Sequence, residues 1–237
     1  MASDIDKIRQ YYNDVYYAGA GYNSKTSAHH RKLATRIGIL PHHHVLDVAC
    51  GTGGWLKVAE NRGANVAGID LSEVAVDICR TAIPGADLHV VAAEHLPWDD
   101  AQFDIVTCLG SLEHFVDPIS ALKEMKRVAK QNATFIILVP NSGFLTRRLS
   151  LFKGTDQSRV REVVRSLSEW QELFAASGLS VNRRWRDLHV LSWRWITRGR
   201  WYIWPLRFTQ AIALAVWPLS WQYQVYHQCT VASLSEN

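Results

Sequence analysis

The stretch Val45–Gly54, VLDVACGTGG, constrains this chain more than any other. Val45-Leu46-Asp47-Val48 is a short apolar run whose β-branched residues suit a buried parallel strand. It breaks at Ala49-Cys50 into Gly51-Thr52-Gly53-Gly54, after which Trp55, Leu56, Val58 and Ala59 follow a helical pattern. Strand, glycine turn and helix in that order gather backbone N–H groups and a helix N-terminus around one small volume. Such a place suits the polar part of a nucleotide-like ligand. Without a Cβ, the glycines permit the sharp turn and let a ligand lie directly on the backbone.

A dinucleotide fingerprint asks for G-x-G-x-x-G. Gly51 and Gly53 supply two glycines, but Leu56 holds the third place, which counts against a hydride-transferring enzyme. The acidic residue expected about twenty positions on is present. It is Asp70, ending the run Val66-Ala67-Gly68-Ile69, where a carboxylate can accept both hydroxyls of a ribose. These residues describe a site for an adenosine without a pyrophosphate. On the D-x-A-C-G-T-G turn at 47–53 and the acidic end of the next strand, the chain resembles class I S-adenosylmethionine (SAM)-dependent methyltransferases. It is most similar to their small-molecule branch, which includes quinone-biosynthesis enzymes. The resemblance runs from about Tyr11 to Gly178.

A length of 237 residues accommodates one α/β domain with insertions, and one domain over 1–237 is expected. With 48% hydrophobic and 20% charged residues the chain is neither disordered nor strongly basic, and a net charge of +4 does not support nucleic-acid binding. There is also no Asn-Pro-Pro-Tyr or Asp-Pro-Pro-Tyr motif after the fourth strand. Cys50, Cys79, Cys108 and Cys229 are irregularly spaced, as expected of a reducing compartment. The opening residues show no signal peptide, and no apolar run reaches a spanning length. The expected location is the cytoplasm, with peripheral membrane contact kept open.

The expected fold is doubly wound α/β, a mostly parallel Rossmann-like sheet; the resemblance implies seven strands with the last antiparallel. Residues 1–40 read as helical from the spacing of Ile5, Ile8, Tyr12 and Val15 and of Leu33, Ile37 and Leu40, and the resemblance implies that these helices form a lid. The core covers 41–190 and 224–234, with strands at 45–48, 66–69, 88–91, 103–108, 134–139, 179–189 and 224–232. Substrate-side insertions occupy 141–166, where Arg147, Arg148, Lys153, Arg159, Arg161 and Arg165 interleave with apolar residues, and 191–223. The second insertion holds Trp193, Trp195, Trp201, Trp204, Trp217 and Trp221 around a short apolar helix bracketed by Pro205 and Pro218. Three readings of it stand: an interfacial membrane segment, a cap over a greasy substrate, or packing on the sheet or on a second subunit. His42-His43-His44 lacks helical i, i+4 placement and reads as a solvated loop; no metal is expected.

The resemblance implies SAM as cofactor, S-adenosylhomocysteine as product and a hydrophobic small-molecule acceptor. It assigns Asp47 to the glycine loop and the ammonium of the methionine part, Ala49, Gly51 and Gly53 to close backbone approach, and Asp70 to the ribose. Leu71, Ala93, Glu94 and Leu109 would meet the adenosine. Ala92 and Trp98 replace the family's usual Asp and Phe near the adenine. Tyr11, Tyr12, Tyr16, Tyr22, His29 and His30 are candidate lid contacts, Tyr16 and His30 toward the cofactor, unless they simply pack the helices. After the fourth strand, His114 is the candidate general base because imidazole titrates near neutrality, with Glu113 to orient it or replace it. The alternative is that this pair only braces its loop.

Overall fold

Apolar side chains alternate between the two faces of a central sheet in the computed structural model, which describes residues 2–21, 27–145, 162–197 and 199–232. Its strands are β1 (His44–Val48), β2 (Asn65–Asp70), β3 (Asp87–Val90), β4 (Phe103–Leu109), β5 (Ala129–Pro140), β6 (Leu179–Arg186) and β7 (Gln224–Val231). The spatial order is β3-β2-β1-β4-β5-β7-β6. The first five strands pair in parallel, and β7 runs antiparallel to both β5 and β6. This is the doubly wound arrangement expected, with the strand order reversing between β1 and β4.

Val45, Ile105 and Ile136 face one side, where they meet α2 (Ala28–Ile37), α3 (Leu56–Glu60) and α4 (Glu73–Ala82) through Leu33, Leu56 and Val76. Leu46, Val106 and Phe135 face the other, against α5 (Pro118–Val128) and α6 (Leu167–Ala176) through Leu122, Trp170 and Phe174. Burial on both faces explains why the central strands read as continuous apolar runs rather than as alternation. The helix starts follow from local chemistry. Ser72 caps α4 by accepting from Ala75 N, Asp117 caps α5, and Ser166 with Glu169 forms a reciprocal capping box on α6.

Several boundaries differ from those the sequence suggests. The sixth strand stops at Arg186 instead of continuing to His189, because Asp187 turns its carboxylate onto the His189 backbone N–H at 3.0 Å. The first lid helix, α1, covers Ala2–Tyr11, and Tyr12–Tyr16 follow in a wider π-helical turn. Val15 points to solvent there, and Leu40 lies exposed beyond Gly38, whose left-handed backbone ends α2. The helix after the glycine turn is one short segment, so the loop's own amides rather than a long helix lie beside the site. Tyr22 and the basic residues Arg147, Arg148, Lys153, Arg159 and Arg161 lie outside the described residues.

Candidate active site

At the carboxyl ends of β1, β2, β3 and β4 the structure encloses a cavity of about 210 Å³. Its floor is Ala49, Cys50 and Gly51; its walls come from Asp70 and Leu71, from Val91–Glu94, and from Leu109–Ser111 with His114. Ile5, Ile8, Tyr12, Tyr16 and Tyr17 close it from above. The tyrosines hold one another in edge-to-face pairs, Tyr12–Tyr16 at 5.4 Å and Tyr16–Tyr17 at 4.8 Å between ring centres. Asn13 Oδ1 accepts a 2.6 Å hydrogen bond from the Ser72 hydroxyl and ties the lid turn to the start of α4.

The floor is built by backbone conformation. Ala49 and Gly51 have φ of 64° and 53°, and Ala49 adopts this left-handed region although it carries a Cβ. Gly51 N donates to Asp70 Oδ2 at 2.9 Å, and Ser72 N donates to Asp70 Oδ1 at 2.9 Å. With the Leu71 amide as a further donor, the carboxylate keeps only part of its acceptor capacity for a neighbouring hydroxyl. Burial raises the Asp70 pKa, while the bonds from Ser72, Gly51 and Leu71 amides oppose the rise. A Cβ on Gly51 would lie 2.9 Å from the Tyr17 hydroxyl, so glycine is what lets the lid tyrosine reach the floor.

Of the residues singled out in the sequence, Tyr12, Tyr16, Ala49, Gly51, Asp70, Leu71, Ala93, Glu94, Leu109 and His114 share this cavity. Glu94 also accepts from Asp117 N at 3.2 Å. Asp47, Gly53, His30 and Glu113 are not on the wall. Asp47 turns inward, where the Thr107 hydroxyl lies 2.6 Å from its Oδ1 and itself accepts from Trp55 Nε1 at 3.0 Å. Full burial pushes the Asp47 pKa up to about 7 against that hydrogen bond, and the Asp70 charge adds to the rise. Gly53, at φ 80°, packs its α-carbon against Cys79. His30 rests edge-on against Trp55 beside Gly54, and burial lowers its pKa. His29 instead reaches across to β7, with its Nε2 2.7 Å from the Tyr226 hydroxyl and 3.3 Å from Asp187.

Glu113 is buried directly beside His114, and its Oε2 has no hydrogen-bond partner among the described residues. Burial pushes its carboxyl from 4.5 up to about 8 despite a bond from its own backbone amide, and the Glu162 charge adds to the rise. Tyr17, Ile5, Ile8, Val91 and Phe115 are cavity residues that sequence reasoning passed over. The apolar spacing of Ile5 and Ile8 signalled a helix but not which cavity it would cover. Among the described residues no group of three or more His, Cys, Asp or Glu side chains is placed to hold a metal ion.

The fit of an adenosyl group rests on the donor set: a carboxylate with spare acceptor capacity, bare backbone at Gly51, and flat apolar walls at Leu71, Val91 and Ala93. Comparison with known proteins decides the family. A family model described as a methyltransferase domain matches residues 46–137. The ubiquinone biosynthesis O-methyltransferase of Hahella chejuensis is 32% identical over 164 residues, spanning 67% of this chain and 68% of that protein. The chain belongs to the SAM-dependent methyltransferases. The methyltransferase YcgJ of Bacillus subtilis is 31% identical over 168 residues; the match takes in 66% of this chain and 65% of the relative's length. In fold, the chain is similar to the methyltransferase solved in complex with the Haloferax volcanii Trm112 activator, with a TM-score of 0.65 and 20% identity over 98% of this chain and 96% of that one. For this methyltransferase the cofactor is SAM.

Proposed function

We propose that this methyltransferase transfers the methyl group of SAM to an apolar or amphipathic small molecule, of the quinone, isoprenoid, lipid or aromatic type. The observation that carries the reading is the lining of the cavity: tyrosines, aliphatic side chains and backbone, with Asp70, Glu94 and His114 as its charged or titratable groups apart from those tyrosines and Cys50. No Lys or Arg is among its described lining residues. The relative from Hahella chejuensis, whose name specifies ubiquinone biosynthesis, supports the same acceptor class.

When bound, SAM supplies a methyl group on a cationic sulfur that leaves as a neutral thioether. The chain's own residues then have three tasks. Asp70 accepts the ribose hydroxyls, with Gly51, Leu71, Ala93 and Leu109 packing about the adenosine. Asp47 acts through the Thr107 and Trp55 network, holding the strand that carries the glycine loop. The lid tyrosines exclude water, so that acceptor and methyl meet in a fixed, dry geometry. An acceptor hydroxyl or activated carbon must also lose a proton as its new bond to carbon forms. His114, on the cavity wall, takes that proton on a ring nitrogen, and buried Glu113 positions the loop that carries it.

Calorimetry with SAM and with S-adenosylhomocysteine tests the cofactor site, using Asp70→Asn beside the wild type. Loss of the charged acceptor weakens binding by about 10- to 100-fold. Incubation with methyl-labelled SAM and lipid extracts tests the acceptor: a labelled, lipid-soluble product supports it, and label confined to RNA overturns it. A second reading, a SAM-binding protein without transfer activity, is excluded by any such product.

A further inference from the structure

The stretch from residue 188 to residue 235, which takes in nearly all of the connection between β6 and β7, carries the whole net charge of the protein. From residue 188 to residue 235 there are four of the 26 basic residues, Arg194, Arg198, Arg200 and Arg207, and none of the 22 acidic ones. The remainder, 22 basic against 22 acidic, is balanced. The same stretch holds six of the ten tryptophans. Charge and aromatic rings are thus segregated into one excursion from the sheet.

The structure shows how that excursion is held and what it presents. Its helices are α7 (Trp193–Ile196) and α8 (Trp204–Val216). Arg186 donates to the carbonyl of Ala215, and Gln222 Nε2 donates to the carbonyls of Leu214 at 2.7 Å and Trp217 at 3.3 Å. Arg207 donates to the Trp195 carbonyl at 2.9 Å, with its guanidinium 5.4 Å from the centre of the Trp195 ring. The bonds from Arg186 and Gln222 satisfy carbonyls at the C-terminal end of α8, and Arg207 ties its first turn to α7. On α8 only Ala211 is buried. Trp204, Phe208, Ile212 and Val216, spaced four apart along one row, are 37%, 51%, 51% and 73% exposed. Trp201, just before the helix, is 75% exposed.

Three occupants could cover such a face, and two fit poorly. No residue of 188–223 lines the described cavity, so the row does not close over the acceptor. A twofold dimer would set this patch against its own copy. With no carboxylate between 188 and 235, that would oppose arginines to arginines. A spanning segment is excluded for the helix itself: no helix among the described residues is long and apolar enough to cross a membrane. An exposed apolar row flanked by Trp, Tyr202 and Arg200 on a short helix matches the boundary between headgroups and acyl chains.

We propose that the β6–β7 connection docks onto a lipid bilayer bearing anionic headgroups. In that position α8 lies along the surface, with Phe208, Ile212 and Val216 in the acyl boundary and Arg200 at the headgroup phosphates. This inference stands apart from the acceptor reading, because it rests on a surface that does not touch the cavity.

Co-sedimentation of the full chain with vesicles of phosphatidylcholine plus phosphatidylglycerol, and with vesicles of phosphatidylcholine alone, tests it. The chain is expected to partition more onto the anionic vesicles and to be released by salt, which shortens the reach of surface charge. Arg200→Gln is expected to weaken binding about fivefold, as for one arginine at an anionic surface. Phe208→Ser with Ile212→Ser is expected to weaken it at least about tenfold. Both side chains are exposed, so unchanged melting of the variant shows that the fold is retained. Equal partition onto the two vesicle types, or wild-type sedimentation of the double variant, would overturn the proposal. A wild-type dimer in sedimentation equilibrium that dissociates in the double variant would also overturn it, in favour of a second copy of the chain.

Discussion

Replacing Glu113 by Gln should remove a pH dependence built into the core of this methyltransferase. The carboxyl is 4% exposed, and burial holds its pKa near 8 where an ordinary glutamate titrates at 4.5. In the unfolded chain the group ionises near its ordinary value. Between those limits the folded chain keeps a proton that the unfolded chain has released. The contribution of this group to stability is therefore full below pH 4.5 and is lost as pH rises through about 8. The loss amounts to about 3 kcal/mol by about pH 7 and to about 5 kcal/mol above about pH 8. Glutamine keeps the shape of the protonated acid and cannot ionise. Urea unfolding of both proteins from about pH 5 to about pH 8.5 reads the effect directly. Relative to wild type, Glu113→Gln should gain stability as pH rises, by a few kcal/mol across the range. Asp47, also raised by burial to about 7, contributes the same slope to both proteins and cancels in the difference. Parallel stability curves for the two proteins would refute the reasoning, since they would mean that Glu113 ionises equally well folded and unfolded.

Other consequences follow from the same geometry. Gly53→Ala places a Cβ against Cys79 at φ 80° and should cost about 1–3 kcal/mol in urea unfolding, while Gly85→Ala, with nothing within 4 Å, serves as the tolerant control. Thr107→Val leaves the Trp55 ring N–H unpaired and strips Asp47 of its hydroxyl, for a loss of about 1–3 kcal/mol. The Asp47 carboxyl should rise further in that variant, so the stability loss should deepen as pH climbs through 7. Ser166→Ala removes the hydroxyl that accepts from Glu169 N, leaves the bond from its own backbone N–H to Glu169, and should lower stability by about 1 kcal/mol, read as a drop in Tm.

Much of this molecule is written in short-range pattern. The central strands are visible as apolar runs because both sheet faces are covered, and Ser72 and Ser166 announce their helices because a short side-chain oxygen satisfies an amide three residues on. The bare turn at Gly51 and the carboxylate at Asp70 are legible for the same reason: each does its work within a few bonds of its own backbone. The outlying boundaries were less legible. The end of β6 depends on the Asp187 side chain bonding back to the His189 amide, a competition that apolar spacing does not register.

What the tertiary structure alone decided is how side chains distant in sequence share space. Asp47 turns inward because Thr107, 60 residues away on the neighbouring strand, offers its hydroxyl there. Tyr17 reaches the cavity floor because the lid turn is pinned to Ser72 through Asn13. The outward row on α8 exists because Arg186 and Gln222 hold the other side of the helix. Local periodicity sets which residues form an element and which face is apolar. The direction in which that face finally looks is set by bonds made from elsewhere in the chain, and these form only once the chain has folded.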